Sequence, residues 1–490
     1  MIFDRFGVRL RASLVVVATS VLVAGCASYE AKPLPPAQTA AALERRTLSD
    51  PALSRFIAAA SPSYAAEAGS WDISTLTLAA LYYHPEIDIS RNRLALAQAG
   101  IVTARQVPNP TITVAPGNGL LASEAPSPLT IGFLINFVIE TFGKRDIRIE
   151  QATNATEAAR QDLASAAWQV RGGVRTSLLD LWASEGRLKL ATRRLALQQR
   201  IVDLLERRFG AGESSALDVA RERINLSQVA IALRDSERQA GEARARLAAA
   251  VGIPARSIEQ VTIVLTTFDN PPSMPDVRDM SEGGLRQRAL LERTDVLGLL
   301  AEYEASQSAV RLEIAKQYPN ISVGPGYAFD RGDNLYNFEL SVDLPIFNQN
   351  QGPIAEALAR RREAAAKFVA LQAKVIGDID RAVASYRGAV RTVATANTLL
   401  ASQRDRRRQI DRAFQLGEVD RMAPLTADLE EEVVQLARYE AVIQQREAMA
   451  MLEDALQQSL FDGGYSFIRL PQRVSGRPDI LDTVQSPVPK

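Results

Sequence analysis

The sequence has one cysteine, Cys26, and one histidine, His84, among its 490 residues. A single cysteine excludes disulfide bonds within the chain, and a single histidine excludes histidine dyads and His-rich metal clusters. The sequence also lacks a phosphate-binding glycine loop with its lysine, and it has no Gly-x-Ser-x-Gly motif. We therefore predict that the protein is not an enzyme and binds no metal.

The chain has no surplus of charge of either sign, because 57 basic residues balance 57 acidic residues. Nucleic-acid-binding proteins normally carry a basic surplus on some segment, so this balance gives no support for such a partner. The local charge runs Arg404–Arg408 and Glu430–Glu432 fall within helical patterns. We interpret both runs as solvated helix faces.

The N-terminus carries an apolar run, Leu14–Ala24, preceded by arginines. This run is too short to span a bilayer as a mature helix, and the combination is typical of an export signal. Gly25 and Cys26 follow it, and this ending resembles the lipobox of bacterial lipoproteins. We predict a signal peptide over residues 1–25, a covalent lipid on Cys26 and no other cofactor. An ordinary signal peptide with an incidental cysteine is the alternative; Ala27, which is not an aspartate, favours release to the outer membrane.

Four segments alternate apolar and polar residues with the period of a β-strand. In the clearest of them, Asn334–Leu344, the even positions are apolar and most odd positions are polar or acidic. About ten residues of this alternation suit a strand that crosses an outer membrane with one face in lipid and one in water. The segments form two predicted hairpins, 111–140 and 320–346, the second with a polar turn at 331–334. A half-buried hairpin of a soluble sandwich is the alternative.

The chain also carries an internal duplication. Residues around Pro110 align without a gap with those around Pro319, and in both places a helical pattern runs into the proline and then into a strand. Apolar residues at spacings of three and four predict long helices after each hairpin. These helices are 146–209 with its return 216–251, and 354–414 with its return 425–460. The mature chain is predicted to begin with a spacer, residues 26–70, that contains a short helix within 39–63. A first repeat (71–252), a linker (253–280), a second repeat (281–462) and an irregular tail (463–490) follow.

The number of strands indicates how the chain assembles. Four strands cannot close a barrel, and open strand edges are not tolerated in lipid, so several chains must pool their strands. Two chains would give eight strands and three would give twelve. An eight-stranded barrel is filled by its own side chains, whereas the polar face predicted here requires water, so three chains fit better. The long helices would extend the tube by about 100 Å.

Acidic residues on the predicted polar face suggest the properties of such a lumen. They are Glu140, Asp330, Glu339 and Asp343. We expect these carboxylates to face the water-filled interior and to give it a preference for cations.

The two-copy plan, the lipobox, the prolines at the helix-to-strand junctions and the paired Phe-x-x-Gly-Glu turns resemble the TolC family of outer-membrane efflux channels, in its lipoprotein branch of the OprM and CusC type. The resemblance covers about residues 70–462. It implies a homotrimeric twelve-stranded β-barrel continuous with an α-helical barrel, with a belt around the 253–280 linker. It also implies an outer-membrane location with a periplasmic extension, a periplasmic adaptor at the helical tips and an inner-membrane pump of the RND type.

The resemblance assigns residues at the two turns that end the long helices. Phe209 with Gly212, and Phe414 with Gly417, match the family's aromatic-x-x-glycine turns, where the adaptor is expected to dock. Packing beneath the turn is the alternative for the phenylalanines, and helix capping is expected of the glycines in any case. Asp218 matches a family aspartate that follows the first turn.

The second turn departs from the family pattern, because Ala423-Pro424 occupies the matching region. Asp420 and Asp428 are the nearest carboxylates there. With Asp218, they are the candidate gate residues at the periplasmic entrance.

The leading functional hypothesis is a passive, gated exit duct of a tripartite efflux system. The outer-membrane component of a type I protein secretion system is the alternative within transport. From a different class, a periplasmic coiled-coil scaffold held only by its lipid also fits. A Cys26→Ser variant distinguishes the scaffold from a membrane barrel, since a scaffold would become soluble and a barrel would still require detergent.

Overall fold

A computed structural model describes residues 29–60, 70–118, 128–271 and 282–460. The predicted signal peptide, Cys26 and the tail 463–490 lie outside the described residues. The described residues fall into two compact units, one containing residues 29–45 and the other beginning at Arg46.

The secondary structure is mostly helical. In chain order the elements are α1 Pro36–Glu44, α2 Pro51–Ala60, β1 Ser70–Trp71, α3 Ile73–Tyr83, α4 Pro85–Arg105, β2 Thr111–Asn118, β3 Leu129–Ile139, α5 Lys144–Gly210, α6 Ala216–Val251, α7 Ala255–Glu259, β4 Thr262–Ile263, α8 Thr266–Asp269, α9 Glu282–Glu292, α10 Thr294–Ala315, β5 Ile321–Asp330, β6 Asp333–Val342, α11 Gln351–Gln415 and α12 Met422–Leu456.

The N-terminal region differs from the sequence prediction of one short helix within 39–63. Two helices, α1 and α2, lie there instead. Pro51 cannot continue a helix from the preceding residues, but it fits the first position of a new one. Asp50 caps this new helix, because its Oδ1 accepts the amide of Ala52 at 2.8 Å.

Two very long helices dominate the second unit. α5 has 67 residues and α11 has 65, so each is about 100 Å long. Proline is absent from α5 and occurs in α11 only within the first turn, at Pro353. Each packs along its return helix, α5 with α6 and α11 with α12, and α12 also packs on α5.

The core lies where α3 crosses α5. All eleven residues of α3 are buried, and the apolar ones share one hydrophobic cluster with Val174, Leu178 and Leu181 of α5. The Asp72 side chain begins α3 with a capping box, accepting the amide of Thr75 at 2.8 Å. No described helix is both long enough and apolar enough to cross a membrane.

A buried ionic network ties α12 to α5. Arg171 and Arg175 of α5 both pair with Glu453 of α12, and all three side chains are at most 1% exposed. Arg175 Nη2 also lies 2.6 Å from Asp454 Oδ2. The network therefore places the last turns of α12 against one point of α5.

The charge runs interpreted as solvated faces form ion pairs with each other, and one of their residues is buried. Arg406 Nη1 lies 2.8 Å from Glu430 Oε2. Arg404 and Arg407 both reach Glu431, at 3.2 and 3.4 Å, and the Glu431 side chain is only 8% exposed. The interpretation is wrong for Glu431, which α11 covers, whereas the side chains of Arg404 and Arg406 stay more than half exposed.

The four long strands form one antiparallel sheet in the order β2-β3-β5-β6. Both hairpins are therefore joined through the β3–β5 pair, in which Phe133 lies opposite Tyr327. The second hairpin turns through Arg331 and Gly332 alone, with φ values of +50° and +120°. The expected four-residue turn is too long, because Asp333 already pairs with Asp330 in the ladder.

Candidate functional site

The sheet has one apolar face. Alternation along each strand and the register between strands place the large exposed apolar side chains on the same side. They are Ile112, Val114, Phe133, Ile135, Phe137, Tyr336, Phe338 and Leu340. An exposed apolar face of this extent, with no covering element among the described residues, is suited to contact with lipid.

The opposite face is polar and carries small residues. One row across the sheet consists of Thr113, Leu134, Gly326 and Asn337. Gly324 lies beside this row, and a Cβ there would fall 2.9 Å from Leu134 Cδ1. The absence of a side chain at Gly324 therefore leaves the space that Leu134 occupies on this face.

The four carboxylates expected on the polar face are spread along the sheet and differ in their partners. Glu140 follows the end of β3, and its Oε1 lies 2.7 Å from Arg148 Nη1. Asp330 ends β5 and lies 3.1 Å from the neighbouring Arg331. Glu339 lies within β6, opposite Gly324.

Asp343 lies directly after β6 and lines a cavity of about 750 Å³ together with Lys144 and Lys316. Of the four carboxylates, Glu339 has the most central position in the sheet, since the other three lie at strand ends.

The outer strands of the sheet have free edges. Among the described residues, β2 pairs only with β3, and β6 pairs only with β5. Each outer strand therefore presents a row of backbone N–H and C=O groups that another strand could bind.

Each long helix ends in a turn that requires a left-handed residue. Gly212 has φ +78° and Gly417 has φ +75°. The amide after each glycine donates back to the last helical turn, at 2.8 Å in the first tip and 2.9 Å in the second. Space around both glycines is open, so the backbone conformation is what favours glycine here.

The two phenylalanines of the turns are half-exposed. Phe209 is 50% exposed and Phe414 is 41% exposed. Each ring is therefore partly covered and partly exposed in the single chain, so packing and docking stay compatible roles.

Different side chains cap the two return helices. Ser215 caps α6, where its Oγ accepts the amide of Asp218 at 3.1 Å and donates to the Asp218 carboxylate at 2.7 Å. Asp420 caps α12, where its Oδ1 accepts the amides of Met422 and Ala423 at 3.0 and 3.2 Å. The hydrogen bond from Ser215 lowers the pKa of Asp218.

An ion pair connects the two tips. Arg208, in the last turn of α5, places Nη1 2.8 Å from Asp420 Oδ2 at the start of α12. The Arg208 hydrogen bond is the main cause that lowers the pKa of Asp420, and the capping amides of Ala423 and Met422 lower it further. Asp420 is therefore ionised at neutral pH. It contacts both hairpins, because it pairs with Arg208 of the first and caps α12 of the second.

Asp428, the remaining gate candidate, is paired within its own hairpin. Arg407 Nε lies 2.5 Å from Asp428 Oδ1, between α11 and α12. The structure thus does not bring Asp218, Asp420 and Asp428 together within one chain. Asp218 forms hydrogen bonds with Ser215 at the start of α6, whereas Asp420 and Asp428 form ion pairs with different arginines.

Sequence reasoning did not identify Arg208 or Arg407 as partners of these carboxylates. Arg208 lies in the last turn of α5, a position that suits the negative end of the helix dipole, whereas Arg407 lies in a basic run about two turns before the end of α11. That signal marks the position but does not specify the acidic partner. Among the described residues, no group of three or more His, Cys, Asp and Glu side chains could hold a metal ion.

Comparisons with known proteins relate this chain to outer membrane efflux proteins. A family model described as "Outer membrane efflux protein" matches residues 77–253. The cobalt-zinc-cadmium resistance protein CzcC of Cupriavidus metallidurans is 27% identical over 286 residues, which is 58% of this chain and just under two thirds, 65%, of CzcC. The pyoverdine export outer membrane protein OpmQ of Pseudomonas aeruginosa is 25% identical over 357 residues, covering 70% of this chain and 72% of OpmQ.

Solved structures share the fold. The outer membrane protein VceC from Vibrio cholerae superposes with a TM-score of 0.64 at 18% identity, covering 78% of this chain and 95% of VceC. OpmQ is named as an export protein of the outer membrane, and VceC is named as an outer membrane protein. These similarities support a TolC-family outer membrane efflux protein, and the chain is located in the outer membrane.

Proposed function

We propose that this chain is the exit duct of a tripartite efflux system, a passive gated conduit that takes substrates from a periplasmic adaptor and an inner-membrane pump to the exterior. The observation that carries the proposal is the four-stranded sheet with one apolar face, one polar face and two free edges. The two long helical hairpins supply the periplasmic part.

Free edges require a neighbour in lipid, because an unpaired backbone group there costs several kcal/mol. In a ring of copies, β6 of one copy would pair with β2 of the next. Three copies would give twelve strands around a water-filled interior, with Glu339 and the glycine-rich face inside. The internal duplication would account for two hairpins of the same plan in each chain.

At the other end, the two tips would form the periplasmic entrance. The Arg208–Asp420 ion pair would hold the hairpins of one chain together and favour the closed entrance. Asp218 and Asp428 would contribute charge around the opening. The half-exposed rings of Phe209 and Phe414 would receive the adaptor, with Gly212 and Gly417 shaping the turns.

The N-terminal cysteine would add a second attachment to the membrane. We propose that Cys26 carries lipid, which contributes roughly 0.8 kcal/mol of membrane affinity for each buried CH₂ group. The barrel would hold the chain in the membrane independently of this lipid.

Conductance in planar bilayers tests the proposal. Purified protein should insert and give discrete current steps, and the steps should require an assembled trimer. A folded trimer that never conducts, under any condition that opens the entrance, would refute the duct.

A Cys26→Ser variant separates the duct from a scaffold. The variant should still require detergent and should still conduct. Release of that variant as a soluble protein would support the lipid-held scaffold instead. Genes for an ATP-driven exporter as the sole partner, with no RND-type pump, would favour the type I secretion alternative.

A further inference from the structure

The end of the sheet nearest the long helices carries exposed aromatic side chains. Phe142 follows β3, Tyr318 precedes β5, and their rings stack with centroids 3.9 Å apart. Phe142 is 60% exposed, and Phe347, which follows β6, is 99% exposed. These three residues stand at the boundary between the apolar sheet face and the helices.

The backbone holds Phe142 in this position at a cost. Phe142 has φ +54°, a left-handed conformation that disfavours a bulky side chain, and Gly143 follows with φ +65°. The ring gains contact with Tyr318 but remains mostly exposed. A conformation of this kind is consistent with a surface that has a function at this boundary.

Cationic side chains lie one helical turn further on. Arg145, at the start of α5, is exposed, and its Nε donates to the backbone carbonyl of Arg105 at 3.0 Å. Lys316, at the end of α10, is also exposed, and its Nζ lies 2.6 Å from Glu313 Oε1. Arg105 is exposed as well, at the end of α4.

A cavity opens beside these residues. It has a volume of about 750 Å³ and is lined by Lys144, Arg148, Lys316, Leu344 and Phe347, among others. Its lining combines apolar surface with charges of both signs, because Glu140 and Asp343 lie beside the three cations. Lys144 itself is buried and donates to Tyr318 O at 2.5 Å, so it holds the aromatic pair in place.

We propose that this surface, which we name the junction collar (Arg105, Phe142, Arg145, Lys316 and Phe347), binds the headgroups of anionic phospholipids. Aromatic rings prefer the depth of the headgroups, and each Lys or Arg near the surface attracts anionic lipid. Leu344 continues the apolar alternation of β6 and lines the cavity with Phe347, so the acyl chains of the same lipid would lie against this apolar surface. The inference rests on the proposed barrel, which sets the depth of the collar in the bilayer.

Co-purified lipid tests the collar. The full-length protein is reconstituted in nanodiscs with equal phosphatidylglycerol and phosphatidylcholine, extracted in mild detergent, and its retained lipids are quantified by mass spectrometry. Wild-type protein should retain phosphatidylglycerol over phosphatidylcholine by about threefold or more. The enrichment should fall as salt is raised, because the attraction is electrostatic.

A charge variant identifies the collar as the cause. The triple variant Arg105→Gln, Arg145→Gln, Lys316→Gln should lower the ratio to near one. A matched control removes two arginines and one lysine from exposed sites elsewhere on α6 and α11, through Arg234→Gln, Arg238→Gln and Lys367→Gln. The control should retain the wild-type ratio.

Two outcomes would overturn the inference: equal retention of both lipids by the wild type, or the same enrichment in the triple variant as in the wild type. Conductance recorded from the same preparations separates this failure from that of the proposed function. A conducting channel without lipid preference refutes the collar alone, and a protein that neither inserts nor conducts refutes the duct.

Discussion

Arg208 Nη1 and Asp420 Oδ2 lie 2.8 Å apart, joining the end of α5 to the start of α12. The two residues are 212 positions apart in the chain and belong to different helical hairpins. Asp420 uses its other oxygen to cap α12. The Asp420 carboxylate therefore ties the first hairpin, through Arg208, to the residue that starts the return helix of the second.

We predict that Arg208→Gln raises the open probability of the channel in planar bilayers several-fold, because the tips lose their tie while the Asp420 cap remains. The free energy of unfolding should change by about 1 kcal/mol or less, since the pair is partly exposed. Arg223→Gln is the control, because Arg223 pairs with Glu206 within the first hairpin at 2.7 Å. Equal opening in both variants would contradict a role for the tie.

The same pair predicts how the gate depends on pH. The pKa of Asp420 is lowered in the folded protein, chiefly by Arg208. A lowered pKa means that the stabilisation is fully present above the ordinary carboxyl value of about 3.9 and is lost only as the pH falls through the lowered value. Conductance recorded at pH 7 and pH 5 should therefore show the same closed fraction. Opening between these values that Asp420→Asn abolishes would contradict this assignment.

We predict that Phe414→Asp weakens binding of the adaptor at least tenfold without dissociating the trimer, because a charged carboxylate replaces a half-exposed ring at the tip. Surface plasmon resonance with the partner adaptor measures the affinity, and size-exclusion chromatography measures assembly. Phe414→Leu keeps an apolar side chain and should lose much less affinity. Loss of the trimer in Phe414→Asp would support packing as the main role of the ring.

The buried network predicts a large stability effect. Glu453→Gln leaves Arg171 and Arg175 without their shared carboxylate in a site that is at most 1% exposed. Removing one partner of a buried pair costs about 3 to 5 kcal/mol. Chemical denaturation should show this loss, whereas Glu440→Gln, which breaks a half-exposed pair with Arg187, should cost about 1 kcal/mol or less. Similar losses in both variants would show that burial does not set the cost.

Ion selectivity tests the interior of the proposed barrel. We predict that the channel prefers cations and that Glu339→Gln reduces this preference, since Glu339 lies centrally in β6. Glu140→Gln should have a smaller effect, because Arg148 already compensates the charge of Glu140. Reversal potentials in a salt gradient measure both. Anion preference in the wild type would show that the carboxylates do not dominate the lumen.

The sequence was sufficient for the mostly helical fold with a membrane-type sheet, the resemblance to TolC-family efflux channels and the location in the outer membrane, and these predictions are confirmed, whereas the trimeric twelve-stranded barrel stays a prediction. Local signals carried them: alternation at Asn334–Leu344 predicts a strand, and the structure has β6 at Asp333–Val342. Glycine at 212 and 417 predicts left-handed turns, which both residues adopt. Such signals depend on neighbouring residues and on backbone preferences, so they can be read along the chain.

Partners across the fold could not be predicted in this way. Glu431 looks like a residue of a solvated face in the sequence, but the packing of α11 on α12 buries it beside Arg404. Phe142 gives no sign in the sequence of its left-handed backbone or of its stacking on Tyr318. These contacts depend on the relative placement of distant elements, which periodicity does not specify.

The free edges of β2 and β6 have a consequence for biogenesis. In the proposed ring, a lone copy would expose both edges to lipid, so insertion and association must proceed together. Every seam between copies then depends on two different chains. A copy with a proline in the middle of β6 lacks a backbone N–H that the seam needs, so a ring that contains this copy and intact copies would not close. Such an allele should be dominant in a cell that also expresses the normal protein.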